Sequence, residues 1–193
     1  MEEIGIQLPP DKKTVWDDIV PIIKSKKEKT YYAYISDAIG NSYIYNKLCY
    51  ILTNKVKPDE KMVIRLTTPG GDLDSCTNIV NAIQRCKGHV VVELSGEVAS
   101  AGTIITMYAD DIVALDELRF MIHYYSGGVM GKGHEVKAQQ KFYEEQVESW
   151  FKRIYKDFLT EEEINNVIEG KDIWMGKDEV LERWKKKVEA KNI

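Results

Sequence analysis

The sequence predicts an α/β domain in which helices pack on a largely parallel sheet. Three observations carry this. Short strand-like apolar runs alternate with segments whose apolar residues recur at helical spacing. A Pro-Gly-Gly turn joins one such strand, "KMVIRLT" (61–67), to the helical pattern after it. A second strand, "HVVVELS" (89–95), leads into "GEVASAG", whose small side chains let another backbone come close. A chain of 193 residues is expected to form a single domain over 1–193, large enough to bury a core.

The elements follow in order. "TVWDDIVPIIKSKKE" (14–28) reads as a short helix, with Pro21 as its kink or start. "TYYAYIS" (30–36) is an aromatic-rich strand. Ile44, Leu48, Ile51 and Leu52 give helical spacing over 41–54, and Leu73, Cys76, Ile79, Val80 and Ile83 repeat it after "TPGGD". A helix is expected from Ser100 to Ala109. "DIVALD" and "RFMIH" are two further strands, and "GGVMGKG" (127–133) breaks the pattern. A long helix is predicted over 134–158. "TEEE" (160–163) is a capping box that opens another, and "KDIWMGKDEV" is a loop or short strand before the last helix.

Composition narrows the function classes. With 44% apolar and 30% charged residues the chain is an ordinary globular one. A net charge of -4 gives no electrostatic case for nucleic acid, and the Lys-rich tail, interrupted by Glu182 and Glu189, reads as a solvated helix face. No run approaches a transmembrane helix, and the first residues lack the apolar stretch of a signal peptide, so no membrane partner is expected. Cys49, Cys76 and Cys86 are odd in number and fit no zinc or redox spacing; they read as buried free thiols, which suits a reducing, cytoplasmic location. No metal or cofactor is implied.

A few residues stand out chemically. Pro69, Gly70 and Gly71 form a loop able to turn N–H groups toward one point, although a plain turn needs the same residues. Ser100 lies at a strand-to-helix junction, where unpaired N–H groups, starting with that of Ala101, favour negative charge. Simple helix capping would use the same serine. Of three histidines, His89 and His134 fall at element starts and read as surface residues. His123 ends the strand "RFMI" beside a Gly-rich loop, a place for a general base. Asp172, followed by Ile173 and Trp174, suits a partly buried carboxylate, although solvated turn aspartates are commoner.

Taken together these segments resemble the proteolytic subunit of the Clp protease (ClpP), a self-compartmentalised serine peptidase, from about Tyr31 to Val188. "RLTTPGGDLDSCTNIVNAIQ" is similar to the family's S-P-G-G loop and helix, and "GEVASAG" to its G-x-A-A-S-x-G nucleophile motif. "RFMIHYYSGGVMGKG" is similar to its M-I-H-x-P-x-G-G motif and handle loop, and "EGKDIWMGKDEV" to its aspartate segment. The resemblance implies a ClpP/crotonase-like ββα superhelix with a protruding handle helix, the handle loop and helix covering about 124–158. It implies Ser100 as nucleophile, His123 as base, Asp172 as the residue orienting it, and the N–H groups of Gly71 and Ala101 as the oxyanion hole. It implies no cofactor, a peptide or unfolded-protein substrate, a homo-oligomeric double heptameric ring and an AAA+ unfoldase partner.

The departures are specific. Thr68 replaces the serine before Pro-Gly-Gly, Tyr125 replaces the proline after the histidine, and Glu97 puts a carboxylate three residues before Ser100. Arg65 stands where the family has an aromatic residue in its ATPase-docking cleft, and residues 1–29 do not resemble the family's axial loop. A divergent, phage-encoded member would fit them. A non-catalytic ring subunit and a crotonase-like acyl-CoA enzyme are the alternatives; the complete Ser-His-Asp set, in matching order, counts against both.

The predicted long helix carries Val136, Phe142, Tyr143, Val147, Trp150, Phe151, Ile154, Tyr155 and Phe158. This stripe is too wide for one buried face and points to an oligomer interface.

Overall fold

The computed structural model describes residues 20–128 and 130–191. Strand β2 (Thr30–Ile35) runs parallel to β3 (Lys61–Thr68), and β3 parallel to β4 (His89–Ala99). Alternation sets the two faces. Met62, Ile64 and Leu66 of β3 and Val90, Val92 and Leu94 of β4 are fully buried, while the residues between them are not.

Strand β4 runs past Ser95 to Ala99, longer than its sequence pattern predicts, and changes neighbours along its length. Val91–Leu94 pair with β5 (Asp111–Ala114), whereas Glu97–Ala99 pair with β6 (Arg119–Ile122), both parallel. The change falls at Gly96, whose φ of +62° lets the strand turn, and the β3–β4 register slips there as well. Strand β7 (Ile173–Met175) closes this side, antiparallel to β6.

Helices α1 (Asn46–Asn54), α2 (Leu73–Gln84) and α3 (Ala101–Met107) pack on the sheet; Leu48, Leu52, Ile79 and Ile105 are fully buried between them. Asp72 caps α2 by accepting the Ser75 N–H at 2.8 Å. Helix α3 is buried throughout, and is shorter than the expected 100–109 because Ser100 stays outside it as the N-cap. Thr160 and Glu163 form the predicted capping box of α5 (Glu161–Ile168), and α6 (Lys177–Lys191) ends the described chain.

Three further expectations change. Within the predicted helix over 14–28, Ile22–Ser25 instead form a strand, β1, antiparallel to β2, and residues 14–19 lie outside the described residues. Pairing with the aromatic-rich β2 outweighs the helical propensity of a short segment that begins at Pro21. The long helix, α4 (Gly133–Tyr155), stops before Phe158: Lys156, at φ −50° and ψ 136°, leaves the helix so that Phe158 and Leu159 turn into the core. Of the cysteines, all free, only Cys76 is fully buried, which pushes its thiol up to about 12; Cys49 and Cys86 are partly exposed. Among the described residues no helix is long and apolar enough to cross a membrane.

Candidate active site

The nucleophile candidate is held in an uncommon backbone conformation. Ser100 has φ +53° and ψ −122°, a region that non-glycine residues seldom enter. The cause is the junction itself: β4 must turn at once into α3 while both stay fully packed. Neighbours over-determine the turn. The Ser100 N–H donates to the Met121 carbonyl of β6 at 2.9 Å, and the Ser100 carbonyl accepts the Thr103 N–H at 2.9 Å. Such strain persists where the surroundings enforce it, and it aims a side chain outward from a rigid frame.

The Pro-Gly-Gly loop lies against this turn. Gly70 and Gly71 both have positive φ, +99° and +144°, which excludes other residue types without strain. A Cβ on Gly71 would come 2.3 Å from the Ile39 carbonyl oxygen. Ile39 anchors the loop through backbone bonds, its N–H to the Gly70 carbonyl at 2.7 Å and its carbonyl to the Asp72 N–H at 2.8 Å. Thr68 replaces the expected serine without losing the hydroxyl: fully buried, its Oγ1 accepts the Gly70 N–H at 3.1 Å. Among the described residues, the N–H groups of Gly71 and Ala101 donate to no backbone carbonyl.

Strand register brings the other two candidates together. The Ser100–Met121 bond sets the end of β6 beside Ser100, and His123 follows that end. In the antiparallel β6–β7 pair Ile122 faces Ile173, so one further step of register puts Asp172 opposite His123. The side chains are less engaged than their backbones. His123 is half-buried, and Asp172 is exposed rather than partly buried as its apolar neighbours imply. Among the described residues no hydrogen bond joins Ser100 to His123 or His123 to Asp172. Ile173 is only partly buried and Trp174 is 58% exposed, so neither apolar neighbour covers the carboxylate.

A groove of about 950 Å³ starts at Gly71 and runs between α2 and α4. Its walls include Leu73 and Val80 on one side, Phe142 and Trp150 on the other, and Tyr125 in the segment after His123. Ser100 and His123 lie outside its wall.

On the opposite, open face of the sheet, Arg65 is tied into its neighbours. Its Nη1 donates to Tyr34 Oη at 3.0 Å, the guanidinium lies over the rings of Tyr32 and Tyr34, and its Nε is 3.0 Å from Glu93 Oε1. The aromatic residues at this place are thus on β2, with an arginine and a glutamate beside them. Glu97 is partly buried and pairs in register with Arg119.

Comparison with known proteins agrees with this architecture. The Clp protease family model matches residues 11–183. ATP-dependent Clp protease proteolytic subunit 2 of Pseudomonas aeruginosa is 28% identical over 131 residues, 64% of this chain and 63% of that protein. Proteolytic subunit 3 of Rhizobium etli is 29% identical over 104 residues, 52% of this chain and 54% of that protein. The matched regions thus span less than two thirds of these relatives' lengths. A mutant of ClpP1 from Listeria monocytogenes superposes with a TM-score of 0.66 at 23% identity, covering 79% of this chain and 86% of that one, which establishes a shared fold. With a family match over most of its length, this chain belongs to the Clp protease family.

Proposed function

We propose that the chain is a single-domain serine endopeptidase of the Clp type, with Ser100, His123 and Asp172 as its triad. The observation that carries this reading is the convergence of three separate elements: Ser100 on its positive-φ turn, His123 beside it at the end of β6, and Asp172 opposite His123 by β6–β7 register. In the proposed reaction His123 takes the proton of Ser100 Oγ as that oxygen attacks the peptide carbonyl. The developing oxyanion is held by the N–H groups of Gly71 and Ala101. His123 then passes the proton to the leaving amine, an acyl-enzyme remains on Ser100, and water releases the acyl group by the same route. Asp172 orients the imidazole and stabilises its protonated form.

The substrate is a peptide or unfolded protein, with the groove from Gly71 along α4 as its path. Helix α4 supports the oligomeric part of the reading: it stands away from the domain over most of its length, with Phe142 61% exposed. The chain assembles through it into a homo-oligomeric double ring, a cytoplasmic chamber served by an AAA+ unfoldase. Seating of α4 and its loop in that ring closes the hydrogen bonds among Ser100, His123 and Asp172.

A fluorophosphonate probe tests the reading. It should label Ser100 in the assembled wild-type protein and leave Ser100→Ala unlabelled, and peptide cleavage should fall by on the order of 10³-fold or more in Ser100→Ala and His123→Ala alike. No labelling and no cleavage by the assembled protein would instead favour a non-catalytic ring subunit.

A further inference from the structure

The strained turn at Ser100 has a buried support that the proposed triad does not include. Thr103, fully buried in α3, sends both its N–H and its hydroxyl to the Ser100 carbonyl, at 2.9 and 2.7 Å. A threonine hydroxyl has one proton to give, and this one is given to Ser100. The Tyr155 hydroxyl, 2.6 Å from Thr103 Oγ1, must therefore donate to it. Tyr155 is 1% exposed and sits at the last turn of α4, where that helix leaves its protruding part and enters the core. A relay of two hydroxyl groups thus runs from the root of α4 to the peptide unit that sets the direction of Ser100.

The same root reaches the other side of the site. The Tyr155 ring packs on Phe151 with centroids 4.6 Å apart, and Phe151 meets the edge of Tyr124 at 5.5 Å. Tyr124 is the residue after His123. One end of one helix is therefore connected to the backbone of the serine by hydrogen bonds and to the neighbour of the histidine by ring packing. A buried polar chain between apolar elements costs desolvation and is rigid only when every member is satisfied; here each hydroxyl has its partner.

We infer that Thr103 and Tyr155 are positioning residues for Ser100: the Tyr155–Thr103–Ser100 relay holds the nucleophile's peptide unit in its strained conformation and ties that conformation to the seating of α4. The inference rests on the serine-peptidase reading above. It needs no new chemistry, because neither hydroxyl reaches substrate. If the Ser100 carbonyl loses the Thr103 hydroxyl, the turn relaxes toward ordinary φ and ψ values and Oγ moves away from His123. A displacement of about 1 Å at a reacting atom can cost on the order of 10²-fold in rate.

The test measures two quantities on each full-length, assembled variant: the rate at which a fluorophosphonate labels Ser100, and the midpoint of thermal unfolding. Thr103→Val removes the relay's central hydroxyl at nearly constant shape and leaves the Tyr155 hydroxyl buried without a partner, so both quantities should fall. The double variant Thr103→Val with Tyr155→Phe removes the orphaned hydroxyl too, so stability should recover, because deleting both partners of a buried hydrogen bond costs little. Labelling should stay slow, by roughly ten- to a hundredfold. Thr103→Ser keeps the hydroxyl and should restore the wild-type labelling rate. For peptide cleavage the double variant should lower kcat with little change in KM. Equal labelling rates in the wild type and the double variant would overturn the inference and leave the peptidase reading intact. A wild-type protein that does not label at all would overturn both. Should Thr103→Val fail to fold, the Thr103→Ser and double variants decide the matter in the same way.

Discussion

Gly70 and Ser100 meet so closely that a methyl group on Gly70 would lie 2.5 Å from the Ser100 Cβ and 3.0 Å from its Oγ. The loop after β3 and the turn after β4 are therefore fitted to each other at backbone contact distance. Any side chain on Gly70 must push the serine or the loop aside, and the Gly70 φ of +99° adds strain of its own. Gly70→Ala is expected to destabilise the protein by about 1–3 kcal/mol and to slow fluorophosphonate labelling by on the order of 10²-fold. Labelling at the wild-type rate in this variant would show that the two loops do not set each other's position.

Strain at Ser100 makes a second expectation unusual in sign. Glycine tolerates φ +53° without a Cβ penalty, so Ser100→Gly should abolish labelling and cleavage and yet raise thermal stability. The gain should be up to about 1 kcal/mol. Ser100→Ala keeps the Cβ and should not show it. Paired melting curves of the two variants, compared with the wild type, check this directly. If Ser100→Gly melts below Ser100→Ala, the turn is not strained.

Much of this site was legible before the structure because its residues are consecutive within motifs. Pro69–Gly71, Ala99–Gly102 and the strand ending at His123 each announce a strand end and a turn. That Asp172 comes to lie opposite His123 was not legible from spacing, since it follows from the antiparallel β6–β7 register between distant segments. Thr103 was hidden for another reason. Threonine in a run of small buried residues looks like filler, and only its distance to Tyr155, far along the chain, gives it a role. The first strand was misread as a helix because Ile22–Ser25 has no alternation of its own: its pairing with β2 decides it. The exposure of Asp172 was missed because apolar neighbours in sequence, Ile173 and Trp174, do not pack over it.

One ion pair joins the two helices that flank the segment of Asp172. Arg183 of α6 holds Glu163 of α5 bidentately, Nη2 to Oε1 at 2.7 Å and Nη1 to Oε2 at 2.9 Å, and Nη1 also reaches the Phe158 carbonyl at 3.3 Å. The Arg183 hydrogen bonds bring the Glu163 carboxyl down to about 2. A carboxyl with a depressed native value binds fewer protons folded than unfolded. Its contribution is therefore present above the ordinary glutamate range and is lost as pH falls from that range toward the native value. After solvent screening it should amount to about 1 kcal/mol. Urea midpoints recorded between about pH 6 and pH 3 should fall less steeply for Glu163→Gln than for the wild type. Parallel slopes would mean that the pair contributes nothing to folding.

Helix α4 supplies the last expectation. From Gly133 to about Gln146 its side chains are almost all exposed, and only near Phe151, Ile154 and Tyr155 does it enter the core. A helix that leaves its own domain has few native contacts to hold it, and its exposed Phe142 and Tyr143, whose rings lie 6.3 Å apart edge to face, form an apolar site that no described residue covers. Lys and Glu residues beside them, such as the Lys141–Glu145 pair, keep the rest of the surface wet. Charge at the centre of the apolar site should therefore disfavour assembly at little cost to the fold. Phe142→Glu is expected to shift the proposed double ring to single rings or smaller species in light scattering, with a thermal midpoint close to that of the wild type. Labelling of Ser100 should fall with assembly, since the root of this helix reaches the Ser100 turn through Tyr155 and Thr103. A wild-type protein that scatters as a fully active monomer would rule out the ring, and a Phe142→Glu variant that stays assembled would place the interface elsewhere on the chain.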